Sequence, residues 1–308
     1  MTVVRRYEAT VYDSNRWDGF ALRPGDVIIS TPPKCGTTWT QMICALLILQ
    51  DPELPLPLDR LSPWLDMVTR ARTEVLAALQ AQRHRRFIKT HTPLDGIPND
   101  ATVTYICVGR DPRDVALSMD HHIDNTNIGA FLEARDRAAA IDGIELGPLR
   151  RPPPRPDGEW DRFWQWVDDE TPSTAVGSSL RRTVEHLQTF RDAADDLDIV
   201  WLHYDDLKAD LEGQMRQLAG RLGIEVDEHQ WSRLVQAATF DAMRTRAHTT
   251  VPGGSPQHWI DPSAFFKRGT SGQWHDLLDE ADLARYATRV RALASGDLVE
   301  WVHREPID

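Results

Sequence analysis

The stretch from Asp26 to Gln50 narrows the fold of this 308-residue chain more than any other. Asp26-Val-Ile-Ile-Ser30 follows the turn pair Pro24-Gly25 and reads as a short buried strand. Pro32-Pro33-Lys34-Cys35-Gly36 is then a tight loop, and Thr37 to Gln50 is helix-compatible until Asp51-Pro52 stops it. Strand, glycine loop and helix in that order are an α/β beginning. Further strands are expected at Arg86–Lys89, Val103–Val108 and Ile199–His203. Helices are expected over Met67–Arg83, from Asp114 to His121, over Leu207–Leu222 and over Ala281–Ala294. Helices alternating with mostly apolar strands predict a parallel sheet with right-handed crossovers.

The middle of the chain is less regular. Arg150-Arg-Pro-Pro-Pro-Arg-Pro156 excludes ordinary helix and reads as a linker or part of a lid, and Trp160–Val167 is a helix with aromatics on more than one side. Motifs on both sides of this region argue for one domain over 1–308, with a variable insertion or lid around 125–175. With 41% hydrophobic residues the core needs no disulfide staples, and three cysteines without metal-ligand spacing read as reduced, buried thiols. Residues 1–20 carry charges throughout and lack an apolar export signal, and Ile43–Leu49 is too short to span a bilayer, so a cytoplasmic protein is expected. A net charge of -12 argues against a nucleic-acid partner. It leaves room for a small anion in a locally basic cleft. Of the 35 basic residues only four are lysines, and Lys34, Lys89 and Lys267 lie in the three most unusual local sequences of the chain.

The first of these is an anion cradle by its chemistry. Successive amides of Cys35, Gly36, Thr37 and Thr38 sit where a helix begins, Lys34 adds a full charge, and the threonines add hydroxyls. A Walker A glycine run with its Gly-Lys-Ser/Thr ending is absent, which disfavours magnesium-dependent ATP chemistry. An ordinary turn with a solvent-facing lysine is the alternative. Lys89-Thr-His91, at a strand end, places two polar side chains on one side. Arg110 follows the third strand, where a guanidinium offers a bidentate fork to phosphate or pairs with Asp111 or Asp114.

Thr31-Pro-Pro-Lys-Cys-Gly-Thr-Thr-Trp39 resembles the phosphosulfate loop of the soluble, PAPS-dependent sulfotransferase family, and three further stretches occur in family order between Val27 and Leu277. They are Lys89-Thr-His91, Tyr105-Ile-Cys-Val-Gly-Arg110 with Ser118, and Phe265-Phe-Lys267-Arg268-Gly269. The resemblance implies a P-loop-like three-layer α/β fold with a mostly parallel central sheet flanked by helices. It implies binding of 3'-phosphoadenosine 5'-phosphosulfate (PAPS), release of adenosine 3',5'-bisphosphate (PAP), and no metal. Lys34, Cys35, Gly36, Thr37 and Thr38 would hold the 5' end, with Trp39 stacked on adenine. Arg110, Ser118, Lys267, Arg268 and Gly269 would hold the 3'-phosphate, the last three in a closing loop around 249–274. Tyr204, Thr239 and Phe240 would contact the adenosine. His91 would be the general base, with Lys34 and Lys89 stabilising the sulfuryl group in an in-line transfer. Family departures are Cys35 in place of serine, Ala238 in place of a hydroxyl residue, Gln273 in place of aspartate, and the reversed order Lys267-Arg268.

The implied acceptor is a hydroxyl on a small molecule or lipid, in a bacterial relative, with Trp64–Met67 and Trp160–Val167 either lining its pocket or packing in the core. His121 and His122 lie near this cleft without an assigned role. The tail lacks the short dimerisation motif of many vertebrate members, and oligomeric state stays open. A nucleotide kinase is the competing enzyme reading, and a nucleotide-binding protein that has lost its chemistry is the competing non-enzyme.

Overall fold

The computed structural model describes residues 5–147, 153–252, 256–266, 269–305 and 307. Four strands form one sheet: β1 (Val27–Ser30), β2 (Phe87–Thr90), β3 (Thr104–Gly109) and β4 (Asp198–His203). Their spatial order is β2-β1-β3-β4, and every pairing is parallel. Val27 aligns with Phe87 on one side and with Thr104 on the other, so β1 is central. β1, β2 and β3 are buried along their whole length. This explains their unbroken apolar character, because a sheet covered on both faces needs no polar alternation.

Side-chain alternation divides the sheet between two layers. Val27, Ile29, Ile106, Val108, Val200 and Leu202 face a core shared with helices Thr37–Leu49, Leu211–Arg221 and Trp231–Ala238. Ile28, Ile88, Tyr105, Cys107 and Ile199 face a second core, built with Val75 and Leu79, Leu187 and Phe190, and Leu298 and Val302. Those residues come from helices Arg72–Ala81, Leu180–Asp192 and Gly296–His303. Each fully buried aliphatic side chain contributes about 1.5–3 kcal/mol, so the two faces hold the sheet from both sides.

Two expected helices take different bounds. The segment Met67–Arg83 is helical only over Arg72–Ala81. Leu207–Leu222 is two helices, Tyr204–Ala209 and Leu211–Arg221, because Asp210 leaves helical geometry and caps the second through the Gly213 amide. The third strand is followed at once by the helix Pro112–Asp124, with Asp111 accepting from the Arg113 amide and Pro112 at the first turn. The aromatic helix, Glu159–Val167, packs Phe163, Trp164 and Val167 into a third cluster with Trp274, Tyr286 and Val290. Phe163 and Trp164 are therefore core and not pocket wall, whereas Trp160 is 42% exposed. Within 125–175, Ile128–Asp142 is also helical. Among the described residues no helix is long and apolar enough to cross a membrane.

The chain passes from β1 outward to β2 and back across to β3, so the C-terminal ends of β1 and β3 flank a switch point, where open α/β sheets bind ligands. Gly36 opens the Thr37–Leu49 helix there with φ +105, and a Cβ on it would meet Tyr204 at 3.2 Å. A Gly36→Ala substitution should cost about 1–2 kcal/mol from backbone strain and lower the melting temperature by several degrees. An unchanged thermal melt would contradict the tight approach of this loop to Tyr204.

Candidate active site

The cradle residues converge on the end of β1. Lys34 adopts φ +68, one of few non-glycine residues to do so, and this turns the chain into the Gly36 helix start. Cys35, Thr37 and Thr38 are buried, and the Thr37 hydroxyl pairs with that of Thr31. Burial pushes the Cys35 thiol up to about 12, so it stays neutral and serves as packing beneath the loop. Cys44 is pushed up to about 12 in the same way, and Cys107 well above its ordinary value. None of the three is a poised nucleophile.

Arg110 is placed by the end of β3 and ties the cradle together. Its guanidinium donates to the Lys34 carbonyl at 3.1 Å and to the Thr270 carbonyl at 3.2 Å. It lies 4.3 Å above the Tyr204 ring, and its buried Nε has no partner. Asp114 does not compete for it as an ion pair. Instead that carboxylate accepts the Gly272 and Gln273 amides at 2.9 and 3.1 Å, pinning the late loop beside Arg110. Ser118 is half-buried on the Pro112–Asp124 helix, one turn before His122 and on the same face. Lys267 and Arg268 lie outside the described residues. Gly269, next to them, has φ +59, and a Cβ on it would strike the Phe240 ring at 2.9 Å. Phe240 and the late loop are therefore in direct contact.

Trp39 and Tyr204 meet edge to face at 5.5 Å, and the Trp39 indole donates to the Ala238 carbonyl at 2.8 Å. The position that lacks an expected hydroxyl thus anchors Trp39 through its backbone. The Thr239 hydroxyl donates to the Gln236 carbonyl and caps the next helix at the Ala242 amide. Its side chain is committed to helix geometry.

At the end of β2, His91 is buried and its Nδ1 lies 2.8 Å from the Thr31 carbonyl. A carbonyl can only accept, so Nδ1 carries the proton and Nε2 keeps its lone pair. Burial, then the charge of Lys89, hold its pKa well below the ordinary 6.5, and the ring is neutral at physiological pH. Lys89 lies 4.2 Å over the Trp64 ring, and Trp64 touches His91 edge-on at 4.7 Å. Burial, then repulsion from its charged neighbour, brings both lysines down from 10.5 to about 7: Lys34 against Arg110, and Lys89 against Lys34. Two mutually repelling lysines, with Lys89 beside the neutral His91 imidazole, form a site built to receive negative charge.

Several participants carry no local sequence signature. Arg182 is buried and donates to the His91 carbonyl at 2.8 Å and to the Tyr12 hydroxyl at 2.9 Å. The Asp66 carboxylate receives the hydroxyls of Thr90 and Thr92 on either side of His91. His186 pairs with the Ser30 hydroxyl at 3.1 Å, and Ser30 in turn donates to the Thr92 carbonyl. These contacts fix the His91 peptide from the side of the Leu180–Asp192 helix. From sequence His122 is legible only as a histidine near the cleft. Its Nδ1 is 3.4 Å from the Lys34 ammonium, and its ring lies among Trp259 and Phe265. No three-residue cluster of metal-ligating side chains occurs among the described residues.

The sequence matches the Sulfotransferase domain family over residues 24–297. It is 40% identical to the "Glycolipid sulfotransferase" of Mycobacterium bovis, an alignment covering 96% of this chain and 93% of that one. The protein of the same description from Mycobacterium tuberculosis is equally similar, and the dog "Sulfotransferase 1B1" is 22% identical over 98% of this chain and 95% of its own. Among solved structures, mouse sulfotransferase SULT7A1 complexed with PAP aligns with a TM-score of 0.67 at 17% identity, covering 94% of this chain and 92% of that one. Retinol dehydratase in complex with retinol and PAP aligns at 0.62 with 21% identity, covering 90% and 83%. Taken with the cradle, the β2-end histidine and the match across most of its length, these likenesses place the chain in the sulfotransferase family, as an enzyme of that class.

Proposed function

We propose that this enzyme transfers the sulfuryl group of PAPS to a hydroxyl of a glycolipid or related small molecule in the cytoplasm, from a single domain with a P-loop-like cradle. One observation carries the mechanism: the Thr31 carbonyl fixes His91 as the Nδ1–H tautomer, leaving Nε2 as the base beside Lys89. His91 Nε2 takes the proton of the acceptor hydroxyl as its oxygen attacks sulfur. An acceptor O–S bond forms, the bond from sulfur to the 5'-phosphate oxygen breaks, and its electron pair leaves on PAP. Lys34 and Lys89, with the Gly36–Thr38 amides, stabilise the charge gathering on the sulfuryl and leaving oxygens. Arg110, Ser118, Lys267 and Arg268 hold the 3'-phosphate. Trp39, Tyr204 and Phe240 frame the adenine, with Thr239 positioning Phe240 as its helix cap. Glycolipid acceptors are favoured by the description of the 40% identical relatives. PAP in both aligned structures favours the donor.

The lysines supply a test through pH. Both titrate near 7 in the free protein, and a bound phosphate raises them towards their ordinary 10.5. Binding therefore takes up protons above pH 7. PAP affinity should fall as pH rises from 7 to 9, by up to about tenfold per pH unit for each lysine. Calorimetry at pH 8 in buffers of different ionisation enthalpy should register uptake approaching two protons. Tight PAP binding without proton uptake would contradict the role of Lys34 and Lys89, and no PAP binding would overturn the donor assignment.

A further inference from the structure

Two adjacent histidines in the last turn of the Pro112–Asp124 helix face different partners. His121 meets Glu159 of the aromatic helix at 3.8 Å. His122 meets the cradle, with its Nδ1 3.4 Å from the Lys34 ammonium. An ammonium can only donate, so against charged Lys34 the His122 Nδ1 accepts and the ring proton sits on Nε2, the opposite tautomer to His91. Burial, then the charges of Lys34 and Lys89, hold the His122 pKa well below 6.5, and the ring stays neutral. The Lys34 ammonium also lies 4.3 Å over the face of Phe265. Burial and the Arg110 charge oppose it, and no carboxylate pairs with it among the described residues.

The fold holds the His122 ring in that orientation. The turn after it pairs with the segment carrying Trp259: Thr126 bridges to Trp259 in antiparallel register, the Asn127 amide donates to the His258 carbonyl at 2.9 Å, and the Ile260 amide donates to the Asn125 carbonyl at 2.9 Å. The Thr126 hydroxyl donates to the His122 carbonyl at 2.8 Å, and the Trp259 indole to the Pro252 carbonyl at 3.0 Å. Trp259 and Phe265 thus flank the imidazole, with ring centres 4.9 and 6.0 Å away. A carboxylate in the place of His122 would neutralise the Lys34 ammonium and keep it. A neutral imidazole fixes the ammonium's position and leaves its full charge for an incoming anion. We propose that His122 is a positioning residue for sulfuryl transfer, holding the Lys34 ammonium on the Lys89 side of the cradle. This rests on the sulfuryl-transfer reading above and adds to it the side chain through which Lys34 is aimed.

Two substitutions separate the hydrogen bond from the packing. His122→Phe keeps an aromatic ring against Trp259 and Phe265 and removes the acceptor, whereas His122→Asn keeps an acceptor near the Nδ1 position and removes the ring. At saturating PAPS and a fixed amount of glycolipid extract, PAP formation should slow about tenfold or more in His122→Phe, the worth of a hydrogen bond to a charged group. It should slow less in His122→Asn. PAP affinity should change by a smaller factor than turnover, because Lys34 keeps its charge in both variants. In a Lys34→Met background, adding His122→Phe should lower turnover no further, since the effect runs through Lys34. A loss in His122→Asn equal to that in His122→Phe, or a His122→Phe loss that multiplies onto Lys34→Met, overturns the proposal. Imidazole nitrogen NMR on the ligand-free protein needs no turnover: the His122 Nδ1 resonance should shift in Lys34→Met, and a resonance that does not move overturns the proposal. Lack of PAPS turnover by the wild-type enzyme would instead remove the sulfuryl-transfer reading, an outcome that the NMR result distinguishes.

Discussion

His91→Asn should lower kcat by about 10²- to 10⁴-fold, the range a positioned general base supplies, while PAP affinity stays within about twofold of wild type. The substitution is chosen because asparagine retains a donor facing the Thr31 carbonyl that now receives Nδ1–H at 2.8 Å. The loss should therefore be chemical rather than structural. Wild-type kcat/KM should also show an acidic limb below pH 6.5, since burial and Lys89 lower the histidine pKa. That limb belongs to the base and should vanish in the variant. Above pH 7 the profile should fall as Lys34 and Lys89 lose their protons. Equal losses of turnover and PAP affinity in a folded variant would reject His91 as base.

Arg110→Ala should weaken PAP binding by about 30-fold or more, the cost of truncating one partner of a buried charge pair. Binding of adenosine 5'-phosphosulfate, which lacks the 3'-phosphate, should fall far less. The comparison matters because Arg110 also has structural work: it holds the Lys34 and Thr270 carbonyls and covers the Tyr204 ring. A purely structural role would weaken both nucleotides alike. The unpaired, buried Nε argues for more than structure, since it leaves a donor that a phosphate would satisfy. Dissociation constants for the two ligands decide the matter.

Much of this architecture is legible in local sequence. β1, the glycine turn and the Thr37–Leu49 helix follow from an apolar run, a turn-forming loop and a helix-compatible segment that are contiguous in the chain. β3 and the Pro112–Asp124 helix follow from a clear apolar strand and from Asp111-Pro112 at a helix start. The cradle is legible for the same reason: Lys34 through Trp39 need only one turn to act together.

Contacts across long sequence separations are not legible in this way. Arg182 lies 91 residues from the His91 carbonyl that it holds, and His186 lies 156 from Ser30. Nothing local distinguishes Arg182 from its neighbour Arg181, which forms surface ion pairs with Glu170 and Glu185. The aromatic helix Glu159–Val167 misleads for a related reason. Its pattern is compatible with a pocket wall, and only the placement of the Glu280–Arg291 helix shows that Phe163 and Trp164 are covered by Tyr286 and Val290. The break at Asp210 is a contest between apolar periodicity and a side chain that prefers to cap, and the cap wins. Local sequence leaves Trp64–Met67 open between core and pocket. Trp64 and Met67 both line a small recess that also touches Lys89, while Leu65 and Asp66 are fully buried.

The proposed reaction couples one donor to one acceptor through His91. The most direct measurement follows PAP release from PAPS and sulfated product together, with an octyl glycoside or a glycolipid extract as acceptor and His91→Asn as the matched control. Equal amounts of PAP and sulfated product from the wild-type enzyme, dependent on the acceptor and reduced at least a hundredfold in the variant, are the predicted result. PAP release without a sulfated product, or turnover that His91→Asn leaves intact, would contradict it.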